Sequence, residues 1–214
     1  MKPLSLPTFL AFACISLQAS EFSSQWHQVH DRVWLGEEYW ANPMEDWAIQ
    51  DGRVVCLRSG VNRNIHLLTY GLSEKIASFT VSIRLGIQKD SPKNGSAGFS
   101  IGVIDEETRD PRASLLFGKG LVAGVKANGK LFIGNNVADQ ALPSLEDVTL
   151  RLEVAPNKRK GFHSLRIIAF QAKTDKELGR FSWQLAKSET LTGNVAIGCN
   201  MDRGLSVKGA PKLA

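Results

Sequence analysis

Apolar and polar residues alternate along this chain with the period of two that marks a β-strand, not with the longer period of a helix. The clearest stretch is Phe79-Thr80-Val81-Ser82-Ile83-Arg84-Leu85, apolar at odd positions and polar at even ones. Thr149-Leu150-Arg151-Leu152-Glu153-Val154 repeats the alternation on even positions, and 165–170 is a β-branched run of the buried-strand type. Shorter strands are predicted at 54–57, 65–69, 98–104, 113–117, 121–126, 131–134, 179–183 and 194–199. Turn residues punctuate them: Asp51-Gly52, the run from Asp90 to Gly95, Asp110-Pro111, Asn128-Gly129 and Pro156-Asn157-Lys158. Asn128-Gly129 is the strongest hairpin signal, because both residues tolerate the positive φ of a two-residue turn. Helix is confined to short pieces at 142–146 and 185–190. Many short strands at this spacing predict an all-β fold, an antiparallel two-sheet sandwich.

Composition narrows the class. With 214 residues, 43% hydrophobic and 22% charged, the chain is an ordinary folded domain, which excludes disorder and a disulfide-dense miniprotein. The net charge of +5 is spread over the chain. Its longest like-charge block, Lys158-Arg159-Lys160, reads as a solvated turn, so no nucleic-acid partner is expected. Lys2, an apolar run over 4–17 and the small pair Ala19-Ser20 make 1–20 a secretory signal peptide, placing the rest in the periplasm or outside the cell. That run is shorter than the ~20 residues of a membrane-crossing helix. A lipid anchor at Cys14 is the weaker reading, because the residues before it lack the usual branched apolar residue. The expected division is a signal at 1–20, a lead-in at 21–33, the sandwich at 34–207 and a tail at 208–214. Cys56 and Cys199 survive cleavage, both in strand-like segments expected to lie side by side. An oxidising compartment invites a disulfide between them; two buried thiols packed as small hydrophobes is the alternative.

Catalytic motifs are scarce. His27, His30 and Asp31 lack the Glu of a zinc-protease helix and read as an exposed lead-in. His66 shares a strand face with Asn64 and Leu68, as a structural histidine or a base. Retaining glycosidases need two carboxyl groups ~5–5.5 Å apart, and neither Asp105-Glu106-Glu107 nor Glu146-Asp147 has the alternating spacing for them. A P-loop and a dinucleotide-binding turn are absent too. Asp105, Glu106 and Asp110 form an acidic hairpin tip and are the candidates for a structural calcium, the one cofactor expected.

Aromatic residues offer more. Trp34, Tyr39, Trp40 and Trp47 crowd one segment. Trp34 and Trp47 are expected as core plugs. Tyr39 and Trp40, in a loop-like stretch, are candidates to stack on a sugar, with Glu38, Asn42, Arg63 and Asn64 supplying hydrogen bonds.

Trp34-Leu35-Gly36-Glu37-Glu38-Tyr39-Trp40-Ala41-Asn42-Pro43, then Asp46-Trp47, Asp51-Gly52-Arg53 and Asn62-Arg63-Asn64-Ile65-His66-Leu67-Leu68, resembles a bacterial domain. It looks like the β-sandwich placed ahead of the metallophosphatase domain in some secreted alkaline phosphatase D proteins. The rhythm of a Trp followed by Asp-Gly-Arg is also similar to jelly rolls of the 3-keto-disaccharide hydrolase type. Over 34–200 the resemblance implies a jelly roll of the concanavalin A-like lectin/glucanase type. It implies a non-catalytic module, glycan-binding or accessory to a phosphatase-type domain whose metal ligands lie outside this chain. Two alternatives stay open: a sugar hydrolase or lyase using His66 or Glu38, and a structural remnant that only packs against a partner domain. Such sandwiches end in an aromatic-rich strand. Here only a stub at 205–207 is expected, leaving a sheet edge exposed.

Overall fold

The computed structural model describes residues 21–58, 60, 63–73, 78–87, 95–108, 110–157, 162–186, 191–199 and 211–213. The leader, Asn62, the basic triplet at 158–160 and the stub at 205–207 lie outside the described residues.

Fourteen strands and one α-helix follow along the described chain. They are β1 (Tyr39–Asn42), β2 (Trp47–Gln50), β3 (Arg53–Cys56), β4 (Arg63–Leu72), β5 (Phe79–Ile87), β6 (Ser96–Ile104), α1 (Pro111–Phe117), β7 (Lys119–Lys126) and β8 (Lys130–Ile133). Then come β9 (Asn136–Ala141), β10 (Val148–Pro156), β11 (Phe162–Gln171), β12 (Glu177–Ala186), β13 (Gly193–Cys199) and β14 (Pro211–Leu213). They form two seven-stranded sheets, β1-β4-β13-β6-β7-β8-β9 and β12-β11-β10-β5-β14-β3-β2. The pairings are antiparallel, as the alternation predicts. The core lies between the sheets. Val148, Leu150, Leu152 and Val154 of β10 and Ile83 and Leu85 of β5 meet Ala97, Phe99 and Ile101 of β6. Each such aliphatic side chain removed from water contributes roughly 1.5–3 kcal/mol.

The Asn128-Gly129 hairpin forms as expected, with Gly129 at φ 85° and Val125 opposite Leu131. Other elements differ from the sequence reading. Residues 113–117 are helical, not extended: Asp110 caps α1 by accepting from the Arg112 N–H at 2.7 Å, and Pro111 opens the first turn. The segment 142–146 forms no helix, and Leu185–Ala186 end β12. The expected tail supplies β14, which pairs with β3 on one side and β5 on the other, inside the second sheet.

Close strand approach explains one run of small residues. Gly198, Gly98 and Gly124 stand side by side on β13, β6 and β7. A Cβ on Gly98 would collide with the Ala123 carbonyl oxygen, and one on Gly124 with that of Ala97. Backbone cannot yield as a side chain tip can. Gly98→Ala is therefore expected to destabilise the chain by about 1–3 kcal/mol, read as a lower urea midpoint at unchanged slope.

Candidate functional site on the outward face of the first sheet

Strand β1 is the edge of the first sheet, not a loop, and its register fixes which candidate residues meet. Trp40 stands opposite His66 and Asn42 opposite Asn64. Along the same rows His66 neighbours Ala196 and then Ser100, while Asn64 neighbours Gly198 and then Gly98. Alternation turns Tyr39, Ala41 and Ile65 into the core. Trp40, Asn42, Asn64 and His66 therefore point outward together. Trp40 is 37% exposed. The small residues of β13 and β6 continue the rows, and Ala196 is buried. Helix α1 packs on β6 and reaches β1, so it crosses this face over β13 and β4.

His66 is the unusual member. It is only 2% exposed although it faces away from the core, and neither ring nitrogen has a hydrogen-bond partner among the described residues. Burial disfavours the charged imidazolium and lowers the pKa to about 4, so the ring is neutral at physiological pH. A neutral imidazole presents one donor and one acceptor.

Two expected sugar contacts lie elsewhere. Tyr39 turns inward, its ring 4.7 Å from that of Trp26, and its hydroxyl donates to Ser24 Oγ at 2.7 Å. It ties the lead-in to the sandwich, and burial pushes its phenol pKa up. Arg63 also points between the sheets, where its Nη2 lies 2.6 Å from Oδ2 of the buried Asp46. Glu38 sits at the mouth of β1, half-buried, its carbonyl accepting from the Leu68 N–H at 2.8 Å. Trp47 is fully buried as expected. Trp34 is not a core plug: it is 55% exposed, with the Arg32 guanidinium 4.8 Å above its ring.

No protein-family model matches the sequence, and no curated protein matches it. Among solved structures the chain is similar to lectin II from Ulex europaeus, with a TM-score of 0.51 at 11% identity over 82% of this chain and 88% of that one. The fold is a concanavalin A-like jelly roll. The Ca2+-bound exoplasmic/lumenal domain of VIP36 is also similar, with a TM-score of 0.48 at 10% identity over 88% of this chain and 87% of that one. At such identities the likeness concerns the fold, and the site stands on its own geometry.

Elsewhere in the jelly roll, the calcium candidates serve local structure. Asp105 Oδ2 accepts from the Thr108 N–H at 3.2 Å and its hydroxyl at 2.5 Å. Asp110 caps α1 and pairs with the Arg112 guanidinium at 3.3 Å. The Thr108 hydroxyl and the Arg112 side chain respectively hold these two carboxyls below the usual carboxylate range. Glu106 is exposed, and among the described residues no three acidic, His or Cys side chains gather into a metal-binding group. These residues do not fit a calcium site.

The two cysteines lie on facing sheets, not on neighbouring strands. Cys56 ends β3 in the second sheet, and Cys199 ends β13 in the first. Both are buried free thiols. The Cys56 thiol donates to the Arg58 carbonyl at 3.2 Å.

Proposed function

We propose that this chain is an exported glycan-binding module that reads a neutral sugar on the outward face of the first sheet. One observation carries the reading: a part-exposed indole stands on the outward face of the edge strand, beside the Asn42–Asn64 pair. A sugar ring has an apolar C–H face and a rim of hydroxyls. The face stacks on Trp40, as on other aromatic platforms. The hydroxyls meet the two amides, which donate and accept. Glu38 lies at the rim of the same strand. Tyr39 and Arg63 have no part in it, because they face the core.

The test is a neutral-glycan array followed by calorimetry on the hit, using the folded chain. Trp40→Ala should weaken binding roughly 30-fold, about 2 kcal/mol, as expected for a central aromatic anchor. Tyr39→Phe should leave affinity unchanged. A blank array from folded protein, or equal binding by Trp40→Ala, would sink the proposal. The hydrolase alternative is weakened by His66 itself, since a base of pKa about 4 is poorly matched to neutral pH. Turnover of a 3-keto-disaccharide by the wild type would restore that alternative. An accessory role beside a phosphatase-type domain rests on the sequence motifs alone.

A further inference from the structure

We infer that the outward face of the second sheet carries a separate groove for an acidic sugar, a uronate held by Arg166. Strands β10, β11 and β12 surround a depression of about 540 Å³, within the ~300–1,000 Å³ of small-ligand clefts. It is lined by Glu153, Ala155, Ser164, Arg166, Ser182 and Gln184, with Leu165 and Trp183 between them. Register sorts these residues. Glu153 stands opposite Arg166 and Arg166 opposite Ser182, and the next outward row is Ala155, Ser164 and Gln184. Leu165 belongs to the core and Trp183 is its cross-strand partner, so those two give backbone to the floor. The small side chains of Ala155, Ser164 and Ser182 leave the hollow, and the longer Glu153, Arg166 and Gln184 wall it. Two rows on three strands span ~7 Å by ~10 Å, the scale of one sugar ring. The hollow lies on the other sheet from Trp40, so this inference neither needs nor tests the reading of that face.

Charge selects the ligand. The arginines along β5, β10 and β12 are engaged. Arg84 holds Asp147 through Nε and Nη2 at 2.8 and 2.7 Å, and Arg180 holds Glu177 through the same two atoms. The Arg151 guanidinium lies 4.7 Å from the centre of the Phe170 ring. Arg166 on β11 has only a loose pairing among the described residues: its Nη1 lies 3.7 Å from Glu153 Oε2, and its side chain is 52% exposed. The Nε–Nη2 edge, which grips a carboxylate in the other two pairs, is left over. The surroundings supply what the rest of a sugar needs. Ser164 Oγ accepts from Asn157 Nδ2 at 3.0 Å and keeps its hydrogen to donate. The exposed Ser182 and Gln184 add a hydroxyl and an amide. A uronate presents a carboxylate to the guanidinium fork and ring hydroxyls to Ser164, Ser182 and Gln184. Glu153, at the Nη1 end, steadies the guanidinium and accepts from a further hydroxyl.

The test is an NMR titration of the isotope-labelled chain with trimers of galacturonate, glucuronate and mannuronate, beside the methyl ester of each. At least one acid trimer should shift the amide signals of β11 and β12 and leave those of β1 and β4 in place. Its methyl ester, which lacks the charge, should bind roughly 10–100-fold more weakly. Raising sodium chloride from ~50 to ~500 mM should weaken the acid trimer too, because salt screens an exposed ion pair. Arg166→Gln should lose as much affinity as the ester does, with its melting temperature unchanged. Ser182→Tyr fills the hollow from the exposed edge strand and should abolish the shifts, while Trp40→Ala should bind as the wild type does. Silence from every acid trimer overturns the inference, and so does equal binding by Arg166→Gln or by the methyl ester. Shifts confined to β1 and β4 and lost in Trp40→Ala overturn it as well, because they put the acidic sugar on the first sheet. A blank result on β11 and β12 beside neutral-glycan binding lost in Trp40→Ala overturns this groove alone.

Discussion

Arg63→Ala is expected to destabilise the chain by about 3–5 kcal/mol, because it leaves the Asp46 carboxylate buried without its closest cation. The Asp46 side chain is 3% exposed, and the Arg63 guanidinium approaches it to 2.6 Å. Arg58 stands at 3.7 Å from the same carboxylate but is 73% exposed, so water screens most of its charge. That second cation places the expected loss near the lower figure. Removing both charges together, with Asp46→Asn and Arg63→Met, should recover most of the stability. A buried ion pair contributes little net energy, and the large cost comes from breaking it. Urea unfolding of the two variants decides the matter. A loss below about 1 kcal/mol for Arg63→Ala would mean that water or Arg58 already solvates the carboxylate. The pair also bears on the candidate site. Arg63 opens β4, and the next residue, Asn64, faces outward beside Trp40's strand, so the buried charge pair fixes where the outward row begins.

The sequence made parts of this jelly roll legible for a physical reason. β5 and β10 each bury one face only, so their polar and apolar residues alternate, and the alternation survives in the primary structure. The β7–β8 turn was legible because its backbone needs residues that accept positive φ. Residues 113–117 misled because a short apolar run is equally compatible with strand and helix. The deciding signal was Asp110-Pro111, which serves a helix start better than a turn. β14 carries no pattern of its own in three residues, and its place between β3 and β5 is a matter of topology alone. Residue type grouped five side chains that the structure separates: Trp40, Asn42 and Asn64 face outward from the first sheet, while Tyr39 and Arg63 turn to its inner side. The segment around Tyr39 and Trp40 read as a loop, and a loop has no faces. As an edge strand it has two, and consecutive residues separate onto opposite sides. Trp34 and Trp47 teach the same lesson, since one type of residue is exposed in a connection and buried at the start of β2. The Asp46–Arg63 pairing leaves no trace in local spacing, because it arises only when distant segments are layered.

Acid is expected to unfold this chain through His66 before the carboxylates act. The imidazole titrates near 6.5 in an unfolded chain and at about 4 in the folded one. Between those values the unfolded state holds a proton that the folded state does not, so falling pH favours unfolding. The stability is fully present above roughly pH 6.5, declines as pH falls, and is lost by about pH 4. At about 1.4 kcal/mol per pH unit across that gap, the loss amounts to about 3 kcal/mol. His66→Gln, which keeps a polar group and cannot take the charge, should remove this slope. Carboxyls held below their usual range, such as Asp147 under the pull of Arg84, weaken the fold only at still lower pH, outside the window. Urea unfolding of both proteins at several values between pH 7 and 4 isolates the difference. Parallel decline in wild type and variant would show that burial does not hold this imidazole neutral.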